Sequence, residues 1–116
     1  AKAALAAAQH EVPGVWREIA LALALQIGSN RPAADAAMAK LIADHADDAP
    51  YQIAEVYALR GDANDTFKWL NRAWSDRDGG IGSLLFDPII LRYQHDPRFA
   101  AFCKQVGIVF NNYTIG

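Results

Sequence analysis

The chain has 116 residues, 53% of them apolar and 21% charged, with a net charge of −2. That is enough for one domain with its own core, and the charge balance excludes the basic surface by which proteins grip nucleic acid. Cys103 is the single cysteine, which excludes an internal disulfide and a cysteine-built metal centre.

A reducing, cytoplasmic setting is therefore expected. The most apolar run, Ile19 to Leu25, is far too short to span a bilayer, so no membrane partner is expected. No secretory pattern is readable. The chain opens without Met, inside an alanine-rich helical pattern, and is expected to be a piece of a longer protein or a processed product.

In chain order, Ala1 to Gln9 is rich in helix formers, and the Glu11–Gly14 stretch EVPG ends it. Trp16, Ile19, Ala20, Leu23 and Ile27 then fall at offsets 0, 3, 4, 7 and 11, one helical stripe. Leu21, Ala22, Ala24 and Leu25 make the other side of that helix apolar as well, as in a helix packed on several sides. GSNRP at Gly28–Pro32 is a turn, with Pro32 in the first turn of a helix running to about His45. DDAP at Asp47–Pro50 predicts a further helix, started by a capping carboxylate and an early proline and stopped at Gly61. After Asp62 comes a helix carrying Phe67, Leu70, Ala73 and Trp74, ended by DRDGG at Asp76–Gly80. Short helices are expected over Ile81–Phe86, Pro88–Tyr93 and Pro97–Val106, followed by an irregular tail.

The helices repeat. Shifted by 34 residues, Trp16 falls on Pro50, Ala20 on Ala54, Leu23 on Tyr57 and Ile27 on Gly61. The second helices match at 32, with Ala34 on Thr66, Met38 on Leu70 and Leu41 on Ala73. Ala1, Leu5 and Ala8 carry the matching spacing of one more second helix.

Tyr51 to Trp74, YQIAEVYALRGDANDTFKWLNRAW, resembles the tetratricopeptide repeat (TPR) family through Ala54, Tyr57, the Gly61–Asp62 turn, Leu70 and Ala73. Thr66 replaces the family's small residue at the start of the second helix, and Pro50 stands where an aromatic is usual. The tail DPIILRYQHDPRFAAFCKQVGI is similar to the ending of many bacterial TPR arrays. The resemblance implies an all-α, right-handed solenoid of antiparallel helix pairs. Its parts would be a leftover second helix over 1–9, repeats over 15–45 and 48–77, and a C-terminal cap over 81–107.

It also implies a protein-binding scaffold whose concave face comes from the first helix of each pair. By position the lining is Arg17, Leu21, Ala24 and Leu25, then Asp48, Tyr51, Glu55, Ala58 and Leu59. For several of these, packing beneath neighbouring helices is the competing expectation. The family's carboxylate clamp needs Lys and Asn where this chain has Arg17, Leu21, Tyr51 and Glu55, so a helical or extended protein segment is the expected partner. Self-association is the alternative: Ala4, Leu5 and Ala8, with Trp16, would pack on a second copy and make the chain the assembly tail of a larger signalling or regulatory protein. Trp69 and Trp74 lie five apart and so on different faces; one belongs to the core, the other to an interface, with Trp69 named as an interface candidate.

Chemistry is not readable. Asp87-Pro88 and Asp96-Pro97 are expected to be N-caps followed by Pro at the first helical position. Asp76, Asp78 and Asp87 mimic a calcium loop, but Ile81 stands where that loop needs Gly. GGIG at Gly79–Gly82 lacks the Lys-Ser/Thr of a phosphate loop. The Asp44, His45, Asp47 and Asp48 cluster is better suited to a solvated turn than to a metal. Cys103 lies beside Phe99 and Phe102 as a packing residue. No catalytic residue, metal site or cofactor is expected, and an enzyme is not the expected class.

Overall fold

A computed structural model of the chain describes residues 14–108. The helix expected over 1–9, with the interface candidate Leu5, and the end of the tail lie outside the described residues. Among those described, all regular structure is helical. α1 spans Gly14–Ile27, α2 Arg31–His45, α3 Pro50–Arg60 and α4 Ala63–Ser75. Two 3-10 helices follow, Gly79–Phe86 and Ile90–Tyr93, and α5 spans Pro97–Val106. No helix among the described residues is long and apolar enough to cross a membrane.

Local chemistry starts and stops most of these helices. Asn30 caps α2, its side chain accepting the Ala33 N–H at 3.1 Å. Asp62 caps α4 through the Asp65 N–H at 3.1 Å, and Asp96 caps α5 through the Arg98 N–H at 2.9 Å. Gly61 and Gly107, at φ +86° and +81°, end α3 and α5 in the left-handed conformation that glycine adopts without penalty. α4 ends the same way with a larger residue. Arg77 sits at φ +58°, the Arg77 N–H reaches the Trp74 carbonyl at 3.1 Å, and the Asp78 N–H reaches back to Ala73 at 2.8 Å.

α3 departs from expectation. Its N-cap is Ala49, which offers no side chain, and neither Asp47 nor Asp48 caps it. Asp48 meets His45 at 3.1 Å and Asp47 meets Arg72 at 2.6 Å. The Tyr51 N–H is satisfied instead by Asp78, from beyond the end of α4, at 3.1 Å.

α1 packs against α2 and α3, and α3 packs most extensively on α4. The two 3-10 helices lie against α3, and α5 closes on α4. Leu41, Ile53, Val56, Leu70, Leu84, Ile90 and Phe99 form the fully buried centre. Ala54, also fully buried, lets a neighbouring helix come close. Thr66 is buried without penalty because its hydroxyl donates to the Asp62 carbonyl one turn back, at 2.7 Å.

Candidate functional site: an apolar helix face and an acidic seam

The residues expected to line a groove divide into two sets. On α1, Arg17 is exposed, Leu21 and Leu25 are half-buried, and Ala24 is buried. Trp16 stands 58% exposed at the start of this helix and Ile27 67% exposed at its end. Only Ile19, Ala22 and Ala24 of α1 are buried, although its sequence is apolar nearly all round.

On the second set the expectation of an open face fails for Tyr51 and Ala58. Both are buried, Tyr51 to 2% exposure. The cause is the polypeptide after α4, which folds onto α3. The Gly80 backbone lies on the Tyr51 ring so closely that a Cβ there would stand 2.6 Å from Cγ. The Tyr93 hydroxyl donates to the Ala58 carbonyl at 2.8 Å, and its ring meets Phe67 edge-on at 6.1 Å. Glu55 and Leu59 remain half-buried, and Asp48 is exposed in the turn before α3.

The tryptophans divide as expected, with the roles exchanged. Trp69 is core, 6% exposed, with the Arg72 guanidinium over its ring at 5.1 Å. Trp74 is the exposed one, at 39%. α4 buries Thr66, Phe67, Trp69, Leu70 and Ala73, and a five-residue step carries Trp74 off that stripe.

The two Asp-Pro pairs are not equivalent. Asp96 is the expected cap. Asp87 is not the expected N-cap with Pro88 as first helical residue, since the second 3-10 helix begins at Ile90 with Ile89 before it; instead one Asp87 oxygen holds the turn ahead of that helix, accepting the Ile89 and Ile90 N–H groups at 2.9 and 3.3 Å. Asp87 is buried, and its other oxygen takes the Tyr51 hydroxyl at 2.8 Å. Asp78 is likewise divided between the Tyr51 N–H at 3.1 Å and the Gly80 N–H at 2.8 Å. Tyr51 thus ties both aspartates to α3, by its backbone and by its phenol.

Glu55, one turn further along α3, lines the same cleft as Asp87. Burial foremost, then the shared bond with Asp87 and the charges of Asp87 and Asp78, push its carboxyl up to about 9. Burial and the bond to Asp87 push the Tyr51 phenol above its ordinary value as well. The seam opens to solvent through a cleft of about 380 Å³ that includes Gln52, Ser83 and the 85% exposed Phe86.

The calcium-loop pattern does not assemble. Asp78 and Asp87 are used by backbone N–H groups and Tyr51, while Asp76 turns to Arg72 at 3.5 Å. Glu18, Asp44 and His45 bring ligand atoms within 4.8 Å of one another. The Lys40 ammonium already lies among them, 3.0 Å from Glu18 and 2.6 Å from Asp44. His45 bridges Glu18 at 2.9 Å and Asp48 at 3.1 Å, so the group ties α1 to α2 and the turn after it. Cys103 is buried and its thiol is raised by that burial, which makes it a packing residue and a poor nucleophile.

Sequence reasoning did not find the seam, because Tyr51 is 27 residues from Asp78 and 36 from Asp87. The available signal was the pair Gly79-Gly80 directly after an aspartate: a glycine where no turn requires a positive φ marks a close approach. Compared with known proteins, the chain matches no family model, no curated protein and no solved structure.

Proposed function

We propose that this chain is a TPR-like helical-repeat module that binds another protein, and that it does so chiefly through α1. The supporting observation is the mismatch on that helix between composition and burial. An apolar helix leaves Trp16 and Ile27 largely exposed on one side and Leu21 and Leu25 half-covered on the other. Exposed apolar side chains of this kind, with Arg17 among them, have the make-up of protein-contact residues. The helix order supports the repeat reading: α1 meets both its own partner α2 and the next first helix, α3. Ala24, Tyr51 and Ala58 are buried and withdrawn from the expected lining, which leaves Arg17, Leu21, Leu25 and Asp48 as its accessible part, with Glu55 and Leu59 at its border.

Self-assembly through the same helix is the second reading, favoured by the exposure of Trp16. Light scattering after gel filtration at two concentrations about tenfold apart separates the two. A monomer at both supports a different protein as partner. A dimer that Trp16→Ala returns to monomer supports self-assembly. A dimer indifferent to both Trp16→Ala and Leu25→Arg removes α1 from either role.

A further inference from the structure

We propose that the cleft between the end of α4, the first 3-10 helix and the end of α5 binds a small aromatic carboxylic acid, with Arg77 holding the carboxylate and Trp74 the ring.

The cleft has a volume of about 650 Å³ and is lined by Trp74, Ser75, Arg77, Asp78, Ile81 and Gln105. Small-molecule sites occupy about 300–1,000 Å³ and combine an apolar wall with a few polar groups. Ile81 is buried, and Trp74, at 39% exposure, is the largest apolar side chain of the lining that solvent reaches. An uncovered indole is a surface on which a second ring can rest.

The polar groups of the lining differ in what they have left to give. Asp78 is spent: its two oxygens take the Tyr51 and Gly80 N–H groups at 3.1 and 2.8 Å. Arg72, on the same helix as Trp74, is spent as well, on Asp47 at 2.6 Å and Asp76 at 3.5 Å. Arg77 enters no ion pair among the described residues. Its guanidinium is not used to close its own helix either, because the Trp74 and Ala73 carbonyls are taken by the backbone N–H groups of Arg77 and Asp78, at 3.1 and 2.8 Å. A guanidinium without a carboxylate, in one cleft with an exposed indole, is matched by a ligand that brings both a carboxylate and a ring. The Ser75 hydroxyl and the Gln105 amide add hydrogen-bonding groups to the same lining.

The backbone points the same way. α3 and α5 end on Gly61 and Gly107, whereas the chain leaves α4 through Arg77 at φ +58°. A side chain in that conformation costs stability, and residues so held gather at ligand clamps and other functional sites. The helix end that carries arginine in place of glycine is the one that borders this cleft. The inference stands whether or not α1 binds a partner.

The test is a titration of the nitrogen-labelled chain with benzoate, with uncharged benzamide and with acetate, followed by NMR of the amides and of the Arg77 side-chain N–H. Benzoate should saturate below about 10 mM, shift Ser75, Arg77 and Gln105, and bind about tenfold or more tighter than either benzamide or acetate. Arg77→Gly, which removes the guanidinium and relieves the backbone, should abolish the preference for benzoate over benzamide. Trp74→Ala should weaken both aromatic compounds, and the amide spectrum of each variant reports that it is folded. Failure to saturate, shifts confined to other residues, equal affinity for benzoate and benzamide, or an unchanged preference in Arg77→Gly overturns the site.

Discussion

Asp78 caps a helix to which it does not belong: its carboxylate accepts the N–H of Tyr51, in the first turn of α3, at 3.1 Å across 27 residues of chain. Its second oxygen starts the first 3-10 helix through Gly80 at 2.8 Å. One side chain therefore satisfies the beginnings of two helices, and the link is tertiary as well as local.

Removing it should cost more than an ordinary cap. Asp78→Ala leaves both N–H groups short of a partner and is expected to lower stability by about 1–3 kcal/mol. Urea denaturation measures this. A midpoint within error of the wild type would mean that water replaces both bonds.

Gly80 and Gly82 offer a controlled comparison. A Cβ at Gly80 meets the Tyr51 ring at 2.6 to 2.8 Å, whereas one at Gly82 meets nothing within 4 Å. The obstructing atoms are the Cβ, Cγ and Cδ2 of a buried side chain, which cannot swing aside. Gly80→Ala should destabilise by ~1–3 kcal/mol and Gly82→Ala by less than about 0.5 kcal/mol. Thermal melts of the two variants decide it, and equal effects would place the ring elsewhere.

The two Asp-Pro pairs should respond differently to the same change. Asp96→Ala removes a half-buried cap and its pairing with Arg98 at 2.8 Å, lowering the melting temperature by a few degrees. Asp87→Ala also strands the buried Tyr51 hydroxyl, and is expected to cost about 2–4 kcal/mol. The Arg98 guanidinium and backbone N–H hold the Asp96 carboxyl below its ordinary 3.8. Its contribution is thus complete above that value and disappears as pH falls through the lowered one. An acid titration of stability should show the Asp96→Ala deficit shrinking toward pH 2.

Arg77 occupies, at φ +58°, the place that glycine fills at the ends of α3 and α5. Arg77→Gly relieves a backbone conformation that L side chains adopt at a cost, and should raise stability by about 1 kcal/mol. A lower melting temperature instead would show that the arginine stem, beside Trp74 at the rim of its cleft, contributes packing that outweighs the strain.

The helices were legible from sequence because their limits are written locally. Gly61-Asp62, Asp96-Pro97 and Gly107 each settle a boundary within a few residues of themselves. The stripes of α2 and α4 are legible for the same reason, as burial follows the helical period. What escaped was whatever depended on distant partners. Asp47 and Asp48 stand where a cap for α3 belongs, yet the cap comes from Asp78. Tyr51 and Ala58 have the right register for an open face, and only the path of residues 79–93 decides that they are covered. Trp69 falls on the period of Thr66, Leu70 and Ala73 and Trp74 on that of Phe67 and Leu70, and the neighbours α4 receives decide between the two.

The Tyr51 contacts also carry an expectation about the order of folding. α3 and α4 are joined by a tight turn and need only a short loop to meet. The bonds from Tyr51 to Asp78 and Asp87 close loops of 27 and 36 residues, and loop-closure entropy makes the hairpin the expected earlier event. Interactions completed after the folding transition state act on unfolding rather than folding. The seam is then the part of the molecule that sets how long the native state persists once formed, and Tyr51→Phe should quicken unfolding while leaving the refolding rate nearly unchanged.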